Sequence, residues 1–97
     1  MNEDCHPRLC AAVLLKTAPS RLIETRARNW ASVTFVGARH WLRLIVPTDA
    51  AEGLARDLPE AEFDLPGHLV ADMAVVRQQP CPEGILLDLE ALTVLTD

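Results

Sequence analysis

The residues of this chain that could hold a metal ion or carry redox chemistry are its cysteines and histidines. They are Cys5, His6, Cys10, His40, His68 and Cys81. Zinc needs three or four converging ligands, which often come in close pairs such as C-x-x-C. Here Cys5 and His6 are adjacent, Cys10 is the fourth residue after His6, and no second pair is present. The spacing predicts no metal and no other cofactor, and the odd number of cysteines predicts no disulfide framework.

His40 is the candidate general base, because histidine titrates near neutral pH. Asp88 and Glu90 would share one face of a strand and could act as an acid and a base. However, no nucleophile stands near His40 in the sequence, and no glycine-rich phosphate loop, nucleophile elbow or H-E-x-x-H motif is present. The sequence therefore assigns no catalytic residue. A small enzyme or ligand-binding protein with a pocket near His40 is the alternative interpretation.

The clearest structural signal is a β-hairpin over residues 29–46. Gly37 and Ala38 are predicted to form a two-residue turn at its centre, because glycine suits the positive φ of the first turn position. This turn would place Phe35 opposite His40 and Val33 opposite Leu42, and alternation would then separate two faces. The predicted core face carries Ala31, Val33, Phe35, Leu42, Leu44 and Val46, with His40 at its tip.

The other face of this hairpin carries Trp30, Arg39, Trp41 and Arg43. Both tryptophans of the chain lie there, and tryptophan and arginine are the residue types that anchor protein interfaces. The same face, extended by the arginines at 26 and 28, could also stack on single-stranded nucleic acid. The net charge of −5 argues against a nucleic-acid partner.

Patterns in the rest of the chain predict a flexible tail over residues 1–6, helices over 7–17 and 50–58, and strands over 22–28, 68–79 and 84–96. A capping box is predicted at Asp49 and Glu52. A turn at Pro80–Glu83 would pair Val75 with Leu87 and Met73 with Leu89. The core face of this second hairpin would then hold Leu69, Ala71, Met73, Val75, Ile85, Leu87, Leu89 and Ala91. Its other face would hold Val70, Asp72, Ala74, Val76, Leu86, Asp88, Glu90 and Leu92.

These elements predict an α+β domain over residues 1–97: an αββαββ sandwich with a four-stranded antiparallel sheet and both helices on one face. If residues 9–16 are instead a strand and 20–29 a helix, the fold becomes a ferredoxin-like βαββαβ variant with an extra C-terminal strand. Only that alternative would gather His6, His40 and Cys81 at one edge. Both folds leave one face of the sheet uncovered.

Charge is divided unevenly along the chain. Residues 1–47 carry seven Lys/Arg and three Asp/Glu, whereas residues 48–97 carry two and eleven. We therefore predict that the uncovered face binds a second copy, through Trp30, Arg39, Trp41, Arg43, Asp72, Asp88 and Glu90. The chain has no apolar run of membrane length and no basic start of a signal peptide, which predicts a cytoplasmic protein with no membrane partner. A small-molecule ligand is not specified by the sequence.

Overall fold

The computed structural model describes residues 5–96. Helix α1 (His6–Thr17) precedes strands β1 (Arg21–Ala31) and β2 (Val36–Val46). Helix α2 (Ala51–Asp57) continues into a 3₁₀ turn (Leu58–Glu60) and precedes strands β3 (His68–Cys81) and β4 (Gly84–Leu95). The predicted αββαββ order and its antiparallel sheet are confirmed, and the ferredoxin-like alternative is wrong.

The strand order is β1-β2-β4-β3, so the second strands of the two hairpins pair at the centre of the sheet. On β2 and β4 buried residues alternate with half-buried ones, whereas β1 and β3 are largely exposed edge strands. This alternation follows from one apolar face of the sheet being covered by helices and the other being open.

The core lies between the helices and one face of the sheet. Its strand residues include Leu42, Leu44, Val46, Leu87, Leu89 and Ala91. Helix α1 contributes Leu9, Cys10 and Val13, and the segment after β2 contributes Ala51, Leu58 and Leu65. Complete burial of one such leucine or valine contributes about 1.5–3 kcal/mol, so this layer fixes which face of the sheet stays open.

The first hairpin turns at residues 32–35, not at Gly37 and Ala38 as predicted. Ser32 closes the turn: its Oγ accepts hydrogen bonds from the backbone N–H groups of Phe35 and Thr34, and its own N–H donates to Phe35 O. His40 therefore pairs with Ala27 instead of Phe35. The predicted core residues Val33 and Phe35 lie in this turn and are 106% and 54% exposed, and Ala31 is exposed as well.

Gly37 lies in strand β2, and no larger residue fits at this position because β4 passes too close for a side chain. A Cβ atom at this position would overlap the carbonyl oxygen of Thr93. This contact joins two residues that are far apart in the chain, so the sequence of the hairpin alone does not show it. The glycine allows β2 and β4 to lie close together, and the prediction that it forms a turn is wrong.

The second hairpin turns at Pro82 and Glu83. Beside this turn the pairing is shifted by three residues from the prediction, and beyond the bulge after Val75 it is shifted by two: Val75 pairs with Leu89 and Met73 with Ala91. A shift of two residues keeps each side chain on its face. Two β-bulges in β3, after Val70 and after Val75, change the alternation locally. As a result the predicted core residues Leu69 and Ala71 are exposed, while Val70, predicted to face outward, packs against the core.

At the start of the chain, residues 1–4 of the predicted tail lie outside the described residues, while Cys5 is buried and His6 begins α1. Helix α2 has Ala50 at its N-cap without a side-chain hydrogen bond, so the predicted capping box at Asp49 is wrong. None of the helices within residues 5–96 is long and apolar enough to span a membrane.

Candidate functional site

The seven residues predicted to form an interaction surface lie together on the open face of the sheet. Paired residues of neighbouring strands share a face. Trp41 pairs with Glu90 and Arg43 with Asp88, and Arg39 shares Leu92 as a neighbour with Asp72. Trp30 lies on the same face, opposite Gly37. The corrected registers preserve this grouping, because the errors in the prediction did not change which face these strand residues occupy.

The open face also includes arginines that the sequence associated only with nucleic acid. Arg26 pairs with Trp41 and Arg28 with Arg39, which places both on the open face of β1. Phe35, predicted to be apolar core, lies in the hairpin turn and takes no part.

Basic and acidic side chains occupy opposite halves of the open face. The β1–β2 half carries Arg21, Arg26, Arg28, Arg39 and Arg43 with one carboxylate, Glu24. The β3–β4 half carries Asp72, Asp88 and Glu90 with one cation, Arg77. The uneven charge along the chain thus becomes a division across the face, because each hairpin forms one half of the sheet.

Arg43 joins the two halves. Its Nε donates to Asp88 Oδ1 over 2.8 Å and its Nη2 to Oδ2 over 3.3 Å, and its Nη1 lies 3.6 Å from Glu24 Oε1. The hydrogen bond and charge of Asp88 raise the pKa of Arg43 above its ordinary value, so the guanidinium stays charged. Two-point guanidinium–carboxylate contacts of this kind fix both side chains in one orientation.

Trp41 lines a shallow groove of about 280 Å³. The guanidinium carbon of Arg26 lies 4.2 Å from the centre of the Trp41 ring, a cation–π contact. The groove is lined by Glu24, Thr25, Arg26, Trp41, Leu42, Arg43, Val76, Asp88, Leu89 and Glu90. A surface that is concave, aromatic and charged can receive a partner side chain or a small ligand.

Four other charged side chains of this face form no ion pair within residues 5–96. Arg28 and Arg39 in the basic half form no ion pair with any described residue, and neither do Asp72 and Glu90 in the acidic half. Both signs are therefore left available to a partner, each in its own half.

A second cluster lies on the opposite face, beneath the first turn of α1. His40 is fully buried there, and its Nδ1 lies 2.8 Å from Nδ1 of His6. The two rings are parallel within 8° and their centres are 5.0 Å apart. Because a nitrogen–nitrogen distance of 2.8 Å is shorter than the gap between stacked rings, the rings meet end to end through a hydrogen bond.

The protons of this cluster can be assigned from its inner end. Thr93 Oγ1 lies 2.9 Å from His40 Nε2 and donates to Ala38 O over 3.4 Å, and with this donor direction the contact between Thr93 and His40 is assigned to donation by His40 Nε2. Burial lowers the pKa of His40 to about 4, with smaller effects from the charges of His6 and His68, so its ring is neutral at pH 7. Its Nδ1 is then an acceptor, and His6 Nδ1 donates to it.

At the outer end of the cluster, His6 Nε2 lies 2.6 Å from the hydroxyl of Thr25 and 3.6 Å from the sulfur of Cys10. Thr25 Oγ1 donates its proton to Trp41 O over 3.1 Å. Burial raises the pKa of the Cys10 thiol, which keeps it protonated. The structure therefore joins Thr25, His6, His40 and Thr93 into one chain of hydrogen bonds ending at the carbonyl of Ala38.

The metal-ligand candidates are partly gathered, but they do not converge. Cys5, His6, Cys10 and His40 surround the start of α1, whereas Cys81 lies at the other end of the sheet, beside the turn of the second hairpin. The two rings use Nδ1 to face each other, while the thiols lie at the opposite, Nε2, ends of the rings. Within residues 5–96 no three His, Cys, Asp or Glu side chains form a metal-binding group.

The sequence prediction missed Thr25 and Thr93 as partners of the histidines. Thr25 is 19 residues from His6, and Thr93 is 53 residues from His40. No local motif joins them; only the pairing of β2 with β4 and the packing of α1 bring them together.

Comparisons of the chain with protein-family models, with curated proteins and with solved structures find no match. Function is therefore inferred from the geometry of the open sheet face and of the histidine cluster beneath α1.

Proposed function

We propose that this protein is a homodimeric binding module and that two copies associate through their open sheet faces. The observation that carries this proposal is the division of the open face into a basic half with both tryptophans and an acidic half. Such a face is complementary to a second copy of itself. A polyanion such as nucleic acid would match only one half.

The size of the face supports a stable dimer. Four strands about 4.8 Å apart and a central strand of about 37 Å give roughly 700 Å² on each copy. Two copies would bury about 1,400 Å² in total, which lies in the standard range of specific interfaces, about 1,200–2,000 Å².

Charge selects the arrangement of the two copies. A two-fold axis across the strands would place β1 over β1 and the basic half over itself. An axis along the strands places β2 over β4 of the second copy and β1 over β3, so that basic meets acidic. Aligned packing of two sheets is a common arrangement in proteins.

This arrangement pairs specific residues, because it reverses each row of side chains that crosses the sheet. One row reads Arg28, Arg39, Leu92, Asp72, so Arg28 lies over Asp72 of the second copy. Another reads Glu24, Arg43, Asp88, Arg77, so Glu24 lies over Arg77 and Arg43 over Asp88. Glu24, the one carboxylate in the basic half, thus meets Arg77, the one cation in the acidic half.

Light scattering of the purified protein across a range of concentrations and salt tests the proposal. The expected result is a mass of twice 10.7 kDa at micromolar concentration, with dissociation favoured by high salt because the matched charges are then screened. A mass of 10.7 kDa at all concentrations in low salt would contradict it.

A further inference from the structure

The end of the sheet that carries the first hairpin turn is built from segments without charged side chains. Three segments meet there, residues 29–38, residues 65–71 and residues 91–96, and we call them the uncharged end. None of the three contains Asp, Glu, Lys or Arg, although the chain has nine Lys/Arg and fourteen Asp/Glu. Surfaces that face water are normally rich in charged residues, so this end differs from the rest of the surface.

The uncharged end also holds most of the exposed apolar side chains. Among residues 5–96 eight large apolar side chains are exposed, and five of them lie at this end: Val33, Phe35, Val36, Leu69 and Leu95. Single exposed apolar residues are ordinary, whereas a concentration of them marks a site of contact with a protein or a membrane.

These five side chains surround the end of the sheet and do not form one flat patch. Strand alternation places Leu69 on the open face and Val36 and Leu95 on the helix-covered face, while Val33 and Phe35 lie in the turn. A protein partner with a flat or grooved surface would cover one side of this end. A lipid layer surrounds whatever enters it, so this distribution favours lipid.

The backbone of the turn is also suited to an apolar layer. Ser32 Oγ accepts hydrogen bonds from the N–H groups of Thr34 and Phe35, and Ser32 N–H donates to Phe35 O over 2.7 Å. Three of the four N–H groups in residues 32–35 are therefore bonded within the turn. A segment enters lipid at low cost only if its backbone groups are bonded within the protein, because no water replaces a lost hydrogen bond there.

We propose that the uncharged end inserts into the surface of a zwitterionic lipid layer, with Val33 and Phe35 as the side chains that enter it. The sequence predicted no membrane partner because it lacks an apolar run of spanning length, but a turn that enters only the outer part of a layer needs no such run.

The charges around the uncharged end select the kind of lipid. Asp64 and Asp72 flank the second segment in the sequence, Glu90 and Asp97 flank the third, and the net charge of the chain is −5. A negatively charged lipid surface would repel these groups, whereas a zwitterionic surface would not.

The insertion does not depend on the proposed dimer, although the dimer would strengthen it. Val33 and Phe35 lie in the turn, outside the rows of residues that would meet the second copy. Of the five exposed side chains only Leu69 lies on the open face, where Trp30 of the second copy would cover it. A two-fold axis along the strands keeps the strand direction, so both turns lie at the same end and can enter one layer together.

Sedimentation of the protein with sucrose-loaded phosphatidylcholine vesicles tests the proposal. The protein should sediment with the vesicles, and the bound fraction should fall when phosphatidylserine replaces part of the phosphatidylcholine. Protein that stays in the supernatant at millimolar lipid would overturn the proposal, as would stronger binding to the vesicles that contain phosphatidylserine. Light scattering that shows dimers joining into larger particles, without binding to vesicles, would assign the uncharged end to a second copy and would also overturn it.

Aspartate variants of the turn locate the insertion. Val33→Asp and Phe35→Asp should each lower the partition coefficient by at least about 10-fold, because apolar contact is lost and a carboxylate would have to leave water. Both side chains are exposed, so both variants should keep the fold, which urea unfolding checks.

Leu15→Asp is the matched control. It replaces an exposed apolar side chain by the same charge, but Leu15 lies in the last turn of α1, beside the start of β1 and at the other end of the sheet. Its binding to phosphatidylcholine vesicles should equal that of the wild type. A loss in Leu15→Asp as large as that in Phe35→Asp, or unchanged binding in both turn variants, would contradict insertion through the turn.

Discussion

Arg43 and Asp88 share a two-point hydrogen bond across the central strands of the sheet, with Nε and Nη2 each donating to one carboxylate oxygen over 2.8 and 3.3 Å. Arg43 belongs to the basic first hairpin and Asp88 to the acidic second hairpin. Their contact lies where the two halves of the open face meet. This contact between a basic and an acidic residue within one chain is of the same kind as the contacts that we propose between two copies.

Trp41 is expected to be an anchor of the proposed dimer, because it is half-buried under Arg26 at the centre of the open face. Trp41→Ala should raise the dissociation constant at least about 30-fold, as truncation of an interface hot spot costs about 2 kcal/mol or more. Sedimentation equilibrium measures this change. Leu15→Ala, which removes an 82% exposed side chain from α1, is the control and should leave association unchanged. If Trp41→Ala instead unfolds the protein, the open face is core and our interpretation is wrong.

The buried His40 makes stability depend on pH. Its pKa is about 4 in the folded chain against an ordinary value of 6.5, so the unfolded chain takes up the proton first as pH falls. The stability that depends on a neutral His40 is complete above pH 6.5 and is lost between pH 6.5 and 4, by about 1.4 kcal/mol per pH unit. Urea unfolding at fixed protein concentration measures this slope.

Two histidine variants test whether His40 causes this dependence of stability on pH. His40→Asn should have a flatter dependence over that interval, whereas His68→Asn should retain most of it, because His68 is half-buried and outside the chain of hydrogen bonds. Equal slopes in the wild type and His40→Asn would show that another group is responsible.

Substitution by alanine should have opposite effects on stability at Gly37 and at Gly53. Gly37→Ala should destabilise the fold by about 1–3 kcal/mol or more, since its Cβ would overlap Thr93 O and would force β2 and β4 apart. Gly53→Ala in α2 should stabilise by up to about 1 kcal/mol, because its Cβ meets only Arg56 Nη2 at 3.6 Å. Chemical denaturation of both variants checks the signs. A stable Gly37→Ala variant would support the turn that the sequence predicted there.

Phe35 and Leu42 test the corrected register of the first hairpin. Both were predicted to be core residues, but Phe35 is 54% exposed and Leu42 is 2% exposed. Phe35→Ala should change the free energy of unfolding by less than about 0.5 kcal/mol, whereas Leu42→Ala should cost about 2–5 kcal/mol. Similar large losses in both would restore the predicted register.

The element order and the open face could be predicted from the sequence, because they depend on local signals. Prolines end the helices, and strand alternation assigns side chains such as Trp41 and Asp88 to a face. Face assignment is insensitive to a pairing error of two residues, and for this reason the seven residues predicted to form an interaction surface share one face of the sheet although the register of the second hairpin was wrong.

The remaining features depend on contacts between distant parts of the chain. Gly37 was assigned to a turn because its close contact with Thr93 O, on β4, cannot be recognised in the sequence of the first hairpin. The bulges in β3 have no sequence signal that alternation can detect, so Val70 and Leu69 were assigned to the wrong faces. The chain of hydrogen bonds through the histidines needs α1, β1, β2 and β4 together, and no spacing within one segment indicates it.

The most direct measurement of the proposed dimer mixes two variants with opposite charge changes. Arg28→Glu alone would place two carboxylates together, one at position 28 and one on Asp72 of the second copy. Asp72→Arg alone would place two guanidinium groups together. In a mixed dimer both contacts become attractive, because each variant supplies the charge that the other lacks. Analytical ultracentrifugation should show each variant as a monomer and the mixture as a dimer. Association of either variant as tightly as the wild type, or a mixture that stays monomeric while the wild type dimerises, would contradict the proposed interface.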